Sequence, residues 1–330
     1  HRLTRCTLAG ICFVEPEELY MNKKLISVVL SLVAVLAFFA AVALIGPLFN
    51  ESLKLDETAL LRFVFVAVGL LIAFVVYYAT REHRMWEVGT REVVYMAIGA
   101  ALYAIFSYLF NGTVFAVPSV SQVALRPAIA IPMFFGYAFG PVVGLFTGAV
   151  GNMFGDALTG FGLSPQWSVG NGLVGMIAGL VWLFSDKKKS INTVLIVSAV
   201  LAALATIVYF LNPTVANMTF FDPENNIFGD QTISLFAGLS AVIGFVLVLV
   251  VRFAFNKNIN IAAAVTWAML GNFVGIGFAA ISDIWINGFS PAVAIVGEFL
   301  PSAGPNMLFA AILVPILVVA YEAVQRQSGR

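Results

Sequence analysis

The sequence predicts an all-α polytopic membrane protein, a bundle of about ten transmembrane helices. Hydrophobic residues make up 61% of the 330 residues, charged residues make up only 10%, and the mean hydropathy is +0.99. Soluble domains are about 45–50% apolar and about 25% charged, so this composition excludes an ordinary soluble enzyme, a disordered chain and a disulfide scaffold. The apolar runs are long and continuous rather than alternating, which makes β-strands unexpected.

Charge and cysteine usage exclude several further classes. The chain has 17 Lys and Arg against 17 Asp and Glu, and without a basic patch we expect no nucleic-acid partner. Cys6 and Cys12 lack the further ligands that a metal site requires, and His1 and His83 lie outside the apolar runs. We therefore expect no metal, no cofactor and no catalytic residue. No Walker A pattern is present, so ATP hydrolysis would have to come from another chain.

The first twenty residues differ from the rest of the chain. The sequence begins with His1, whereas Met21, followed by Asn and two Lys, resembles a natural bacterial start. We therefore expect residues 1–20 to be a non-native or mis-assigned extension.

Ten apolar runs predict membrane spans, because a bilayer core requires about 20 residues of helix. A short uncharged turn, Gly140-Pro141, separates the fourth and fifth of these. The predicted spans are residues 25–46, 60–79, 92–110, 123–138, 141–159, 168–184, 192–211, 233–254, 260–284 and 302–322.

The basic residues predict the orientation of the bundle. Clusters of Lys and Arg precede the first span and follow the second, sixth, eighth and tenth, which places every cluster on one side. The opposite loops are mainly acidic, at residues 51–57 and 222–230. The positive-inside rule then puts both termini in the cytoplasm.

Four charged residues remain at the predicted outer ends of the spans. Arg126 precedes Pro127, which suits the first position of a helix, while Asp156 and Asp283 end the fifth and ninth spans. Glu298 lies in the outer 285–301 segment. Charges at membrane depth are costly and usually face a cavity or a partner. They indicate a polar site open to the outside; the alternative is that they only mark helix ends.

Amides and an aromatic residue extend this candidate site. Asn152 is four residues before Asp156, on the same helix face, while Trp167 and Asn171 begin the sixth span and Asn272 lies within the ninth. The alternatives are helix–helix hydrogen bonds for the asparagines and an interfacial belt position for the tryptophan. As a ligand site, we expect Arg126 to hold an anionic group, Asp156 to accept hydrogen bonds and Trp167 to stack on a ring.

Small residues recur at helical spacing. Gly136, Gly140, Gly144 and Gly148 are four residues apart, a spacing that lets helices approach closely in lipid.

A second set of small residues lies in the third span. Ala97 and Ala101 form one stripe along the helix, and Ala100 and Ala104 form a second stripe on the adjacent face. Such a stripe either docks a partner's helix or packs internally, and the spacing alone leaves both open.

Together these motifs resemble those of energy-coupling factor (ECF) transporter S components. Residues 97–104 (Ala-Ile-Gly-Ala-Ala-Leu-Tyr-Ala) resemble the first core helix of that family. Residues 139–144 (Phe-Gly-Pro-Val-Val-Gly), continuing to Asp156, and residues 167–175 (Trp-Ser-Val-Gly-Asn-Gly-Leu-Val-Gly) are similar to its next helices. The pattern resembles the riboflavin-type S components in particular.

The resemblance implies a membrane subunit that captures a vitamin or a related small molecule from outside a prokaryotic cell. Its partners would be a transmembrane coupling subunit and two cytoplasmic ATPases in the cell membrane. Ala97 and Ala101 would contact the coupling subunit, and residues 111–122 would form a lid. Asn152 and Gly155 stand where the riboflavin-type pattern often has His and Lys, so the resemblance leaves the vitamin open.

The resemblance also implies a six-helix core and a division of the chain. Core helices 1–4 would lie in residues 91–189 and core helices 5 and 6 in residues 258–330. A two-helix segment would be inserted at residues 190–257, and two additional helices would occupy residues 21–90.

Other functions remain open alongside the S component. A self-sufficient, ion-coupled secondary transporter would use Asp156 or Asp283 as a proton carrier. A membrane aspartyl enzyme would use the same two carboxylates, although no second motif supports it, and a purely structural subunit is the remaining alternative. The predicted substrate-binding residues are Arg126, Asn152, Asp156, Trp167, Asn171, Asn272 and Asp283.

Overall fold

The computed structural model describes residues 3–6, 12–15, 17–110, 125–159, 162–219, 221–222, 227–228 and 231–328. These residues form a helical bundle, because the long apolar runs satisfy their backbone hydrogen bonds internally. The α-helices, in chain order, are α1 (Glu17–Ile45), α2 (Ala59–Thr80), α3 (Thr90–Tyr108), α4 (Ala130–Phe139), α5 (Pro141–Thr159), α6 (Pro165–Gly179), α7 (Lys187–Leu211), α8 (Leu235–Gly238), α9 (Ser240–Ala254), α10 (Ile259–Ile286) and α11 (Leu300–Gln327).

Shorter helical turns extend several of these helices. A π-helix, Val293–Phe299, runs directly into α11. The 3₁₀ turns are Gly46–Leu48, Glu51–Leu53, Arg84–Trp86, Pro127–Ile129 and Leu180–Leu183.

Helices occupy the apolar runs that the sequence indicates. Five of the described helical segments are long and apolar enough to cross a membrane: Glu18–Leu48, Ala59–Thr80, Lys187–Leu211, Ile259–Ile286 and Val293–Gln327. The others are shorter or more polar, so the count of ten transmembrane helices stays a prediction.

Four short strands accompany the helices without changing the all-α class. β1 (Leu3–Cys6) pairs with β2 (Cys12–Glu15), and β3 (Phe221–Asp222) pairs with β4 (Ile227–Phe228), both antiparallel. All four lie outside the apolar runs on which the expectation was based.

Glu298, which the sequence places in the outer 285–301 segment, lies in the π-helix. The backbone N–H of Val293 donates to Ser290 Oγ at 3.2 Å, and Pro291 follows at the start of the helix. Ser290 and Pro291 therefore start this helix, since Ser caps a helix and Pro is tolerated in its first turn.

The centre of the bundle is built from α5, α6 and α10, which pack closely because glycines lie where these helices touch. A Cβ atom on Gly144 would lie 2.3 Å from the carbonyl oxygen of Gly175, and one on Gly170 would lie 2.7 Å from that of Gly275. The glycine spacing therefore serves close helix approach. Between α4 and α5, Gly140 makes the turn at a φ of 107°, a conformation that favours glycine.

The remaining helices surround this centre. α3 and α1 pack on α5, α2 packs on α6, α4 lies against α5 and α6, and α11 lies against α10 and α9. The Ser240 hydroxyl of α9 donates to the Leu300 carbonyl of α11 at 2.7 Å. α1 and α2 lie within residues 21–90, and α7, α8 and α9 lie within residues 190–257; the division of the chain at these boundaries stays a prediction.

Candidate functional site

A polar cavity lies at the end of the bundle that the positive-inside rule predicts to face outside. Residues of α3, of the 3₁₀ turn before α4 with the preceding Arg126, and of α5, α6, α10 and α11 line it, together with one residue that follows α7. The lining residues are Tyr103, Ser107, Arg126, Ala128, Ile129, Asn152, Trp167, Asn171, Thr219, Ile276, Pro301, Ser302 and Asn306.

The cavity is narrow. The space that a water molecule can occupy within it is about 30 Å³, so binding a ligand of several rings requires its walls to separate. The predicted lid, residues 111–122, lies outside the described residues.

Asn152 is the centre of the polar network in the cavity wall. Its Nδ2 donates to Asp156 Oδ2 at 2.8 Å and to Ser168 Oγ at 3.1 Å. Its Oδ1 accepts from Asn171 Nδ2 at 3.1 Å and from the Tyr103 hydroxyl at 3.3 Å. An amide has two donor hydrogens and two acceptor lone pairs; all four are used, which fixes the side chain between α3, α5 and α6.

The charged groups of this wall are Arg126 and Asp156. Arg126 is exposed and precedes the 3₁₀ turn that starts at Pro127. Asp156 is partly buried behind Asn152, close enough to Arg126 for the two charges to attract each other. The guanidinium is thus the cationic group that the cavity presents to a ligand.

A second polar group, on the side of the wall away from the cavity, fixes the position of Trp167. Its indole Nε1 donates to Asp283 Oδ2 at 2.8 Å, and Gln166 Nε2 donates to Asp283 Oδ1 at 3.0 Å. The carboxyl group of Glu298 lies close to that of Asp283. Asp283 and Glu298 are only 1% and 5% exposed, so they support the wall and do not line the cavity.

The structure brings most of the predicted site residues together. Arg126, Asn152, Trp167 and Asn171 line the cavity, whereas Asp156 and Asp283 bind residues that line it. Asn272 lies elsewhere: it is fully buried, and its Nδ2 donates to the Ala268 carbonyl of its own helix at 3.0 Å.

Sequence reasoning missed several lining residues. Tyr103 and Ser107 are four residues apart, one helical turn, so the spacing places them on one face of α3. The sequence does not show that this face points into the cavity. Asn306 is recognisable from the sequence as an amide near the start of the tenth span, and Ser302, which was missed, lies one turn before it in α11. Thr219 carries no such signal, because it lies outside the apolar runs.

A separate apolar groove runs along α3, on its other side. Its open volume is about 500 Å³, and it lies between α1, α3 and α5. The lining residues are Phe38, Val93, Met96, Ala97, Ala100, Ala101, Ala104, Phe146, Val150 and Phe154.

The two alanine stripes of α3 have different surroundings. Ala97 and Ala101 are exposed, while Ala100 and Ala104 are each 6% exposed and face α5. A Cβ atom on Gly151 would lie 2.9 Å from the Ala100 carbonyl oxygen. The second stripe therefore serves internal packing, and the first is free to face another helix.

The described residues offer no metal centre, because no three His, Cys, Asp or Glu side chains among them are grouped closely enough to hold an ion.

Comparison with known families gives a match to the model described as "ECF-type riboflavin transporter, S component". The match runs over residues 87–254, just over half of the chain, and spans α3 to α9. No solved structure matches the chain significantly.

Several curated bacterial proteins match a shorter region. A UPF0397 protein of Aliivibrio salmonicida is 33% identical over 106 residues, 32% of this chain and 56% of the relative. UPF0397 proteins of Vibrio atlanticus and Aliivibrio fischeri are 40% and 37% identical over 90 and 94 residues, 27% and 28% of this chain and 47% and 49% of theirs. The chain spans about half the length of the curated relatives it matches.

Proposed function

The chain belongs to the family of ECF-type riboflavin transporter S components, and from this we propose that it is the substrate-binding membrane subunit of an ECF-type importer. It would capture a vitamin or a related small molecule from outside the cell. Family membership makes it a multi-pass membrane protein of a transporter rather than an enzyme. Both termini would be cytoplasmic, as the basic loops predict.

The observation that carries the proposal is the polar cavity at one end of an otherwise apolar bundle. Buried polar groups in a membrane are costly unless they are partnered or functional. Here Arg126, Asn152, Asn171 and Trp167 converge from three regions of the chain onto one space. A cation, two amides and an aromatic ring are suited to a ring-shaped ligand that carries carbonyl or anionic groups.

Riboflavin is the first ligand to test, because the matching family is described by it. We propose that Trp167 stacks on the ligand ring and that Arg126 and the two amides bind its polar edge. Asp156 and Asp283 would act through Asn152 and Trp167. Asn272, which is buried and bonded to its own helix, is left out of this proposed site.

The binding test uses purified protein in nanodiscs and the quenching of riboflavin fluorescence. Wild-type protein should bind riboflavin, and Arg126→Ala and Trp167→Ala should each weaken binding at least tenfold, about 1.4 kcal/mol. Trp285→Ala is the matched control, since Trp285 is 59% exposed and does not line the cavity. Equal binding by all four proteins would contradict the proposed site.

The partners would be a transmembrane coupling subunit and two cytoplasmic ATPases. We propose that the coupling subunit contacts Ala97 and Ala101, because these residues form the exposed small-residue floor of the apolar groove. The additional helix α1 forms one side of the groove through Phe38 and leaves it open.

Affinity purification from native membranes tests this contact. The tagged wild-type chain should recover both partner types, and the Ala97→Trp/Ala101→Trp double variant should lose them while still binding ligand. Ile98→Trp is the control, because Ile98 is 47% exposed on α3 but outside the groove. Recovery of the partners by the double variant would contradict the contact.

For the six-helix core we propose α3, α4, α5, α6, α10 and α11, in residues 91–189 and 258–330. These two ranges supply every described lining residue except Thr219. The family match instead runs continuously from α3 to α9, a stretch that contains α3 to α7 and α9 as its longer helices. Ligand binding separates the two divisions. Loss of binding on mutating Ile276 in α10 and Asn306 in α11 together would favour the first division.

A secondary transporter is the second candidate, favoured by the buried Asp283–Glu298 pair. Carboxyl groups inside a membrane bundle are a common feature of proton-coupled carriers. Liposomes that contain only this chain decide between the two functions. Uptake of riboflavin driven by a proton gradient, without partners or ATP, would establish the carrier and contradict the S component.

A further inference from the structure

The segment between α7 and α8 reaches the cavity from outside the proposed core. Residues 212–219 follow α7, and Thr219 lines the cavity with Arg126 and Asn306. Among the described residues, α7 and α9 themselves give no side chain to the cavity. Within the described residues of 190–257, this segment is therefore the part that meets the site.

Backbone hydrogen bonds fix this segment on two sides. The Met218 N–H donates to the Gly297 carbonyl of the π-helix at 2.9 Å, and the Asn217 N–H donates to the Gln231 carbonyl at 2.7 Å. The Ile233 N–H donates to the Val215 carbonyl at 3.0 Å. Residues 212–219 are thus tied both to α11 through its π-helix and to the returning chain.

Gly297 makes the contact with the π-helix possible. A Cβ atom at this position would lie 2.6 Å from the carbonyl oxygen of Ala216, a separation that atoms of folded proteins do not reach without a shift. Any larger residue at position 297 would push the segment away from the π-helix.

The hydroxyl of Thr219 is oriented by Asn217. Asn217 is fully buried, and its Oδ1 accepts from the Thr219 N–H at 3.0 Å and from the Thr219 hydroxyl at 2.8 Å. A hydroxyl has one hydrogen to donate and two lone pairs to accept with. Since its hydrogen is given to Asn217, Thr219 offers acceptor lone pairs, whereas Arg126 offers only donors.

We propose that residues 212–219 form a fixed outer wall of the ligand site and that Thr219 is a specificity-determining residue. Its hydroxyl accepts a hydrogen bond from an N–H or O–H group of the ligand, while Arg126 binds a carbonyl or anionic group. This inference rests on the proposed function, that the cavity binds a small molecule.

Cysteine labelling tests the wall without any ligand. In a Cys6→Ser/Cys12→Ser background, Thr219→Cys should react with a membrane-impermeant maleimide severalfold more slowly than Thr214→Cys, because Thr214 is exposed on the same segment. Adding Gly297→Ala should speed labelling at position 219 severalfold and leave position 214 unchanged. Equal rates at both positions, without an effect of Gly297→Ala, would overturn the wall.

Riboflavin binding tests the role of the hydroxyl. Thr219→Val keeps the shape but removes the acceptor, and should raise the Kd roughly three- to tenfold, as expected for one hydrogen bond. Thr219→Ser and the control Thr214→Val should bind like wild type. Wild-type affinity in Thr219→Val would overturn the specificity role. Absence of riboflavin binding by the wild type would count against the proposed ligand, whereas the labelling rates would still decide whether the wall exists.

Discussion

The indole Nε1 of Trp167 donates a hydrogen bond to Asp283 Oδ2 at 2.8 Å, which joins the first turn of α6 to the last turn of α10. One side of Trp167 lines the cavity, and its N–H is anchored behind the wall. A residue buried to 99% thereby sets the position of a residue that faces the ligand.

Replacing Asp283 by Ala should destabilise the bundle. It leaves the Trp167 indole N–H and the Gln166 amide without their acceptor, and an unsatisfied buried polar group costs about 1–3 kcal/mol. Thermal unfolding in detergent, followed with a thiol- or tryptophan-based probe, should show a lower midpoint. Glu57→Ala, at an exposed position in the α1–α2 loop, is the control and should have little effect.

The double variant Trp167→Phe/Asp283→Ala makes this test sharper. Both single changes break the same hydrogen bond, so the double variant should lose less stability than the sum of the two single losses. Strictly additive losses would show that the bond does not hold Trp167.

Asp283 shows what the sequence could and could not predict about the site. Its place at the end of an apolar run predicted a buried carboxylate that needs a partner. The partners are Gln166 and Trp167, more than a hundred residues earlier in the chain, and no local pattern links positions so distant. The role of Asp283 in the ligand site stays a prediction from the sequence, whereas its bonds to Gln166 and Trp167 are visible only in the structure.

Glu298→Gln should be tolerated, whereas Glu298→Ala should not. The Glu298 and Asp283 carboxyl groups lie close together and are both buried, where two negative charges would repel each other. The Gln amide removes one charge and keeps a polar group of nearly the same shape. Removal of the side chain instead leaves a cavity and a lost neighbour, at a cost of about 1–3 kcal/mol. Unfolding midpoints at neutral pH measure both variants; a Gln variant as unstable as the Ala variant would contradict this role of the Glu298 side chain.

Gly148→Ala should destabilise the contact between α5 and α6. The added Cβ atom would lie 2.2 Å from the Asn171 carbonyl oxygen, and overpacking of this kind costs about 1–3 kcal/mol. Because Asn171 lines the cavity, riboflavin binding should weaken as well. Gly277→Ala is the matched control: it is also a helical glycine, but its Cβ would meet only Phe299, at 3.9 Å. Equal unfolding midpoints for the two variants would contradict the packing role of Gly148.

The helices were predictable because apolar runs and helix-start residues are local signals. The span predicted at residues 141–159 coincides with α5 (Pro141–Thr159). The π-helix and the segment that carries Thr219 were not predictable, because both depend on contacts such as that of Met218 with Gly297, about eighty residues away. Glycine spacing indicated close packing, but not which helices would meet.

Asn152→Asp should disrupt the centre of the site although it is nearly isosteric. The change removes both donors to Asp156 and Ser168 and places a second carboxylate four residues before Asp156, where like charges on one helix face repel. Loss of buried hydrogen bonds costs about 1–3 kcal/mol, so the unfolding midpoint should fall and riboflavin binding should weaken at least tenfold. Asn256→Asp, in the exposed turn after α9, should leave both quantities unchanged. If Asn152→Asp instead binds riboflavin like wild type, the four hydrogen bonds of Asn152 do not organise the ligand site. The polar network would then serve only the packing of the helix ends.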